Sequence, residues 1–178
     1  AVIVSEEVAA DGVAFSRLLD EVGATAMEAT PTTWRLLLGA GWSGRASLKI
    51  ISAGDALPRT LANQLLSRGQ VLWSLYGPTE ATVTTTVYRV EPGNDPVYLG
   101  EPIENAEIHL LDTNLQPVRD GETGQLYIGG PGLGRGYLRL PELTAKKFIR
   151  LPIDGDSETR LYASGDLAKR HPDGAIEF

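Results

Sequence analysis

Leu48-Lys49-Ile50-Ile51-Ser52-Ala53, then Pro58 with Leu61, Leu65 and Leu66 at helical spacing, then Gly69 and Gln70-Val71-Leu72-Trp73-Ser74-Leu75-Tyr76, reads as strand, helix, strand. Apolar runs with few alternating polar residues suit strands covered on both faces, and a helix between them returns the chain so that the strands lie parallel. Working outward, the same alternation continues upstream. Ala24 to Ala29 reads as a strand, and Pro31 opens a helix through Trp34, Leu36, Leu37 and Leu38 that the glycines at 39, 41 and 44 terminate. Before it, Ala1 to Val4 is a short β-branched run. Asp11 then caps a helix carrying Val13, Phe15, Leu18, Leu19 and Val22, which stops at Gly23. Strands alternating with helices of this length predict an α/β unit with a mostly parallel, right-handed sheet and flanking helices, over residues 1–82.

After residue 82 the pattern changes. Val83 to Val90, Ala106 to Leu111, Gly124 to Ile128 and Leu161 to Ala163 are short strand candidates. They are divided by the turn signals Pro92-Gly93-Asn94, Asp120-Gly121 and Asp154-Gly155, with one helix expected over Glu142 to Phe148. Residues 83–178 are therefore expected to form a distorted β-rich lobe. Asp173-Gly174 would turn a last hairpin into Ala175 to Phe178, and both ends of the sequence read as breaks inside a larger domain.

Composition excludes several chemistries. The 178 residues are 42% hydrophobic, which is enough for a sizeable core. They contain no cysteine, so disulfides, thiolate metal sites and cysteine nucleophiles are excluded, and the two histidines, His109 and His171, lie too far apart in sequence for a local metal cluster. A net charge of −7 argues against a nucleic-acid backbone as partner. No apolar run approaches the roughly 20 residues of a membrane span, and the expected setting is cytoplasmic.

The stretch Leu75-Tyr76-Gly77-Pro78-Thr79-Glu80 lies beyond the carboxyl end of a strand, where open α/β sheets bind ligands. An aromatic face suits a base, a Gly-Pro turn lets backbone approach, a hydroxyl can donate to phosphate, and a carboxylate can hold Mg²⁺. On residue types alone, a strand-ending turn with an incidental acid fits equally well.

Tyr76-Gly77-Pro78-Thr79-Glu80 resembles a core motif of the adenylation domains of nonribosomal peptide synthetases, and three further stretches follow in that family's order. Gly124-Gln125-Leu126-Tyr127-Ile128-Gly129-Gly130 with Gly134-Arg135-Gly136-Tyr137-Leu138 is similar to its Gly-rich segment, and Pro141-Glu142-Leu143-Thr144 with Phe148 to its continuation. Tyr162-Ala163-Ser164-Gly165-Asp166-Leu167 resembles its Tyr-x-Thr-Gly-Asp motif, with Ser164 in place of Thr. The resemblance runs along essentially the whole chain. It implies part of the adenylate-forming enzyme fold and ATP-dependent activation of an amino acid or related carboxylic acid as an acyl-AMP. The acyl group would then load onto the phosphopantetheine of a peptidyl carrier protein, alongside other synthetase domains.

The resemblance assigns roles by position. Tyr76 would stack on adenine, Gly77 and Gly54-Asp55-Ala56 would border the nucleotide, Thr79 would contact the α-phosphate, Glu80 would hold Mg²⁺, and Asp166 would accept from the ribose hydroxyls. Thr79 and Glu80 are thus the catalytic candidates. Without the family, Asp166 in a Ser-Gly-Asp turn reads first as a loop cap. The pocket for the substrate side chain would be lined by Glu28, Ile51, Ala53, Leu75, Val83 and Thr84. Glu28 would meet either a donor group of the substrate or a protein group or water. His109 reads as a strand residue and His171 as a surface turn residue, while Glu21, Glu91 and Glu101 read as solvated charges. The family's phosphate loop and amino-group-binding Asp are expected upstream, and its hinge and catalytic Lys downstream, so these residues alone are expected to be inactive. The other readings are a piece of an acyl- or aryl-CoA ligase, which shares the Tyr-Gly-x-Thr-Glu and Gly-Asp elements, and a non-catalytic binding module of the same fold.

Overall fold

The computed structural model describes residues 2–153 and 158–178, which form two compact units. One comprises the chain through Ser74 with Arg89–Val97; the other comprises Leu75–Tyr88 and Tyr98–Phe178. The pattern change near residue 82 follows strand and helix content, whereas the units divide inside a strand. The turn expected at Asp154-Gly155 lies outside the described residues.

In the first unit, β1 (Ala26–Ala29), β2 (Lys49–Ser52) and β3 (Val71–Tyr76) pair in parallel, with Glu28 opposite Ile51 and Ile51 opposite Trp73. The connecting helices are α3 (Pro31–Gly39) and α4 (Arg59–Leu66), as the punctuation predicts. α3 begins where Thr30 Oγ1 accepts from Thr33 N and Pro31 supplies a φ already suited to the first turn. It buries Pro31, Trp34 and Leu37, three residues apart and so on one face, while α4 buries Leu61, Ala62 and Leu65. Trp34, Leu37, Leu65, Ile50 and Leu72 are fully buried. Each such side chain contributes about 1.5–3 kcal/mol relative to exposure. The Trp34 indole N–H donates to Ile51 O at 3.2 Å, tying helix to strand.

The amino-terminal helices are α1 (Glu6–Ala10) and α2 (Gly12–Glu21). Asp11 Oδ1 accepts from Val13 N and Ala14 N, the cap anticipated for α2, and Gly23 at φ +61° ends the run. The strand expected at residues 1–4 is not formed. Val2, Ile3 and Val4 are irregular, Ile3 is 98% exposed, and Ser5 caps α1 instead. A β-branched run becomes a strand only when another strand takes up its backbone groups.

In the second unit, β4 (Thr86–Arg89) runs antiparallel to β5 (Glu101–Pro102). A separate antiparallel sheet contains β6 (Glu107–Leu111), β7 (Thr123–Gly129), β8 (Phe148–Leu151), β9 (Thr159–Arg170) and β10 (Ile176–Glu177). Its core includes Ile108, Leu110, Leu126, Ile128, Phe148, Tyr162 and Ile176. α5 spans Pro141–Lys147, so Phe148, expected as its last residue, opens β8 instead. The strand predicted at Leu161 to Ala163 is twelve residues long. His171, expected as a surface turn residue, is half-buried: its Nε2 lies 2.8 Å from Glu177 Oε2, and its ring meets that of Tyr98 edge-on.

Candidate functional site

β3 delivers Tyr76 into the second unit, where a tight loop turns the chain into β4. Thr85 N donates to Tyr76 O at 2.8 Å, closing the loop's base. Thr79–Ala81 forms one 3₁₀ turn. Thr82 and Val83 follow at φ +58° and +69°, a conformation that costs β-branched residues about 1–3 kcal/mol each and persists only when neighbours enforce it. The enforcers are visible. Thr84 N donates to Thr82 O at 2.8 Å, and Thr82 Oγ1 donates to Gly132 O at 2.6 Å. Val83 is 64% exposed.

Asp166 reaches this loop through an irregularity in β9. The ladder pairs Tyr127 with Ala163 and Gln125 with Leu167, so Ser164, Gly165 and Asp166 together face the single residue Leu126. Gly165 takes φ +94°, which glycine adopts without steric cost. Ser164 Oγ donates to Leu126 O at 2.9 Å and accepts from Asp166 N at 3.0 Å, so the hydroxyl pins the bulge. Such bulges re-aim a side chain. Here the Asp166 carboxylate accepts a hydrogen bond from the Tyr76 hydroxyl at 2.6 Å. Burial, and then that bond, hold the Tyr76 phenol well above its ordinary pKa. The ring of Phe178 lies 5.9 Å from that of Tyr76, tilted by 51°.

Glu80 is the second centre of charge. Its Oε1 accepts from Tyr137 Oη at 2.5 Å, and its main-chain oxygen accepts from Gly134 N at 2.7 Å. Burial pushes its carboxyl up, but hydrogen bonds from Tyr137, its own backbone and Tyr162, with the charge of Lys147, outweigh that and hold it below the ordinary value. Lys147 Nζ is itself anchored by donating to Ala163 O at 3.2 Å.

The second unit thus brings Tyr76, Gly77, Thr79, Glu80 and Asp166 onto one loop and one facing bulge, with Leu75, Val83 and Thr84 on the loop's flanks. Thr79 is exposed. Glu28, Ile51, Ala53, Gly54, Asp55 and Ala56 belong to the first unit. There Glu28 and Ile51 are cross-strand partners on one face of the sheet, and Gly54, Asp55 and Ala56 form the exposed loop after β2. Glu28 is also exposed, so no burial cost bears on its carboxylate. Sequence reasoning missed Tyr137, Tyr162, Lys147 and Phe178. The Gly-Arg-Gly-Tyr run was the available signal for Tyr137, and the tyrosine opening the Ser-Gly-Asp motif was the signal for Tyr162.

Among the described residues no group of three or more His, Asp or Glu side chains is placed to enclose a metal ion. One half-buried carboxylate beside an exposed hydroxyl instead fits Mg²⁺ in its usual mode, held through one or two carboxylates and substrate phosphates. No helix among the described residues is long and apolar enough to cross a membrane.

Residues 1–138 match the family described as AMP-binding enzyme. The chain is 36% identical to a dimodular nonribosomal peptide synthase of Bacillus subtilis over 178 residues, covering 99% of this chain and 7% of that protein. It is 41% identical to the PKS-NRPS hybrid synthetase acdB of Aspergillus candidus over 159 residues, covering 89% and 6% respectively. A crystal structure of a four-domain nonribosomal peptide synthetase bound to AMP and glycine superposes with a TM-score of 0.93 at 37% identity, covering 98% of this chain and 13% of that one. The chain therefore spans less than a tenth of the length of these two curated relatives.

Proposed function

The chain belongs to the AMP-binding enzyme family, and from that premise we propose that it is part of a cytoplasmic adenylation domain activating an amino acid in nonribosomal peptide synthesis. The observation that carries the reading is the meeting of Tyr76 and Asp166 at 2.6 Å across 90 residues of sequence, with Glu80 four residues beyond Tyr76. An aromatic face beside a carboxylate offers what a nucleoside presents, a base to cover and paired ribose hydroxyls to accept from.

In this reading the substrate carboxylate attacks the α-phosphorus of ATP and pyrophosphate leaves, so the protein's task is positioning and charge stabilisation. Tyr76 covers the base and Asp166 exchanges its bond to the Tyr76 hydroxyl for bonds from ribose. Thr79 would donate to the α-phosphate, and Glu80 would hold Mg²⁺, which would supply neutralisation of the phosphate charge. By the family resemblance, Gly54, Asp55 and Ala56 would border the nucleotide, and Glu28, Ile51, Ala53, Leu75, Val83 and Thr84 would select the side chain. The acyl group then passes to the phosphopantetheine thiol of a carrier protein.

Exchange of pyrophosphate into ATP by the complete adenylation domain, measured over a panel of amino acids and of aryl and fatty acids, tests the assignment. Amino-acid-dependent exchange is expected, and exchange with aryl or fatty acids alone, followed by transfer to free CoA, refutes it. The 178 residues alone are expected to give no exchange above background.

A further inference from the structure

Tyr137 lies at the end of the Gly-rich segment, 57 residues from Glu80, yet its phenol is bonded to that carboxylate. Its backbone N–H donates to Thr144 Oγ1 at 2.9 Å, and its ring meets Phe148 edge-on at 5.9 Å. Phe148 packs in turn on Tyr162 at 5.1 Å and lies 4.4 Å beneath the Arg160 guanidinium. That guanidinium donates to Gly134 O at 2.9 Å and Arg135 O at 3.0 Å, and Gly134 N donates to Glu80 O. The Gly-rich segment therefore grips both the main chain and the side chain of Glu80. Tyr162 is itself buried, and its phenol adds to the interactions that favour the charged form of Glu80. A carboxylate has about four lone-pair sites, so the Tyr137 phenol proton fixes its orientation and still leaves acceptors for a cation.

We infer that Tyr137 is a positioning residue for the divalent cation, holding Glu80 in one rotamer so that its remaining lone pairs point where the metal–phosphate unit must sit. The inference rests on the reading of Glu80 as the Mg²⁺ ligand. A tyrosine serving only to fill space on Phe148 would not need its hydroxyl, and Tyr137→Phe separates the two roles because it keeps the ring and removes one proton.

The test uses the complete adenylation domain and calorimetric titration of ATP with and without Mg²⁺. Partners that orient a metal ligand are worth about 10- to 100-fold in metal affinity, so Tyr137→Phe should cut the Mg²⁺-dependent gain in ATP affinity by that factor. Metal-free ATP binding should be unchanged, and the melting temperature should fall by no more than the few degrees that one lost hydrogen bond implies. In turnover, the KM for MgATP rises while kcat at saturating Mg²⁺ is preserved. Tyr162→Phe should act in the same direction and add less than its own effect when combined with Tyr137→Phe, because the two phenols share one carboxylate. Wild-type Mg²⁺ dependence in Tyr137→Phe overturns the inference, as does an equal loss of ATP affinity with and without metal. Glu80→Gln, titrated alongside, separates the two levels. If it too keeps wild-type Mg²⁺ dependence, the metal reading of Glu80 fails; if it alone is impaired, only the role of Tyr137 fails.

Discussion

Replacing Gly77 by Ala probes the loop that carries the candidate site. A methyl group there would sit 2.5 Å from Val83 O, 2.7 Å from Thr85 N and 2.9 Å from Thr84 Cα, all backbone atoms that cannot rotate away. The loop must open, and the Thr85 N to Tyr76 O bond at 2.8 Å is the first to stretch. Overpacking costs about 1–3 kcal/mol and the lost hydrogen bond about 0.5–1.5 kcal/mol, for a total of about 2–4 kcal/mol. At roughly 2–4 °C per kcal/mol for a chain of this size, Tm should fall by about 5–15 °C. Far-UV circular dichroism is the readout, because Trp34, Trp42 and Trp73 all lie in the other unit and their fluorescence reports that unit instead. Gly93→Ala is the matched control, since a methyl there meets nothing within 4 Å and should leave Tm unchanged. Equal melting temperatures for Gly77→Ala and wild type would refute the steric reasoning.

Other outcomes follow from the same geometry. Asp166→Asn keeps the side chain's size but removes the charge, so ATP binding by the complete domain should weaken about 10- to 100-fold, the worth of one charge-assisted hydrogen bond, as read by calorimetry. Lys169 and then His171 hold the Glu177 carboxyl below its ordinary value of 4.5, so the folded chain binds that proton less readily than the unfolded one. Its contribution is therefore fully present above the ordinary carboxylate range and is lost as pH falls through it; Glu177→Gln should flatten the acid limb of a stability-against-pH curve measured by urea unfolding.

The α/β half was legible because its signals are local. Asp11, Pro31 and Gly23 sit where caps and stops require them, and β1, β2 and β3 begin and end within two residues of expectation, the run at residues 1–4 being the exception. The β-rich half was less so. β9 hides behind its own bulge, since Ser-Gly-Asp in mid-strand breaks alternation and reads as a turn, and β8 is masked by the helix-forming residues before it. Around the candidate site, the resemblance marked residues that would touch ligand. It did not mark Tyr137, Tyr162 or Phe178, whose roles arise from ring contacts and hydrogen bonds between segments far apart in sequence, which no local pattern encodes.

The bulge in β9 has a consequence for how this sequence can change. The direction of the Asp166 carboxylate is set by a mismatch in residue count between two strands, more than by the rotamer of the aspartate. Substitutions along β7 and β9 that preserve the count, the hydroxyl at 164 and the glycine at 165 should leave the acid where it is. Deleting a single residue between Ala163 and Leu167 would let the ladder begin to zip into regular pairing and carry the carboxylate away from Tyr76. Length in this stretch is therefore under tighter constraint than chemistry, and an insertion or deletion there should be far more damaging than the conservative exchange of Ser for Thr at position 164.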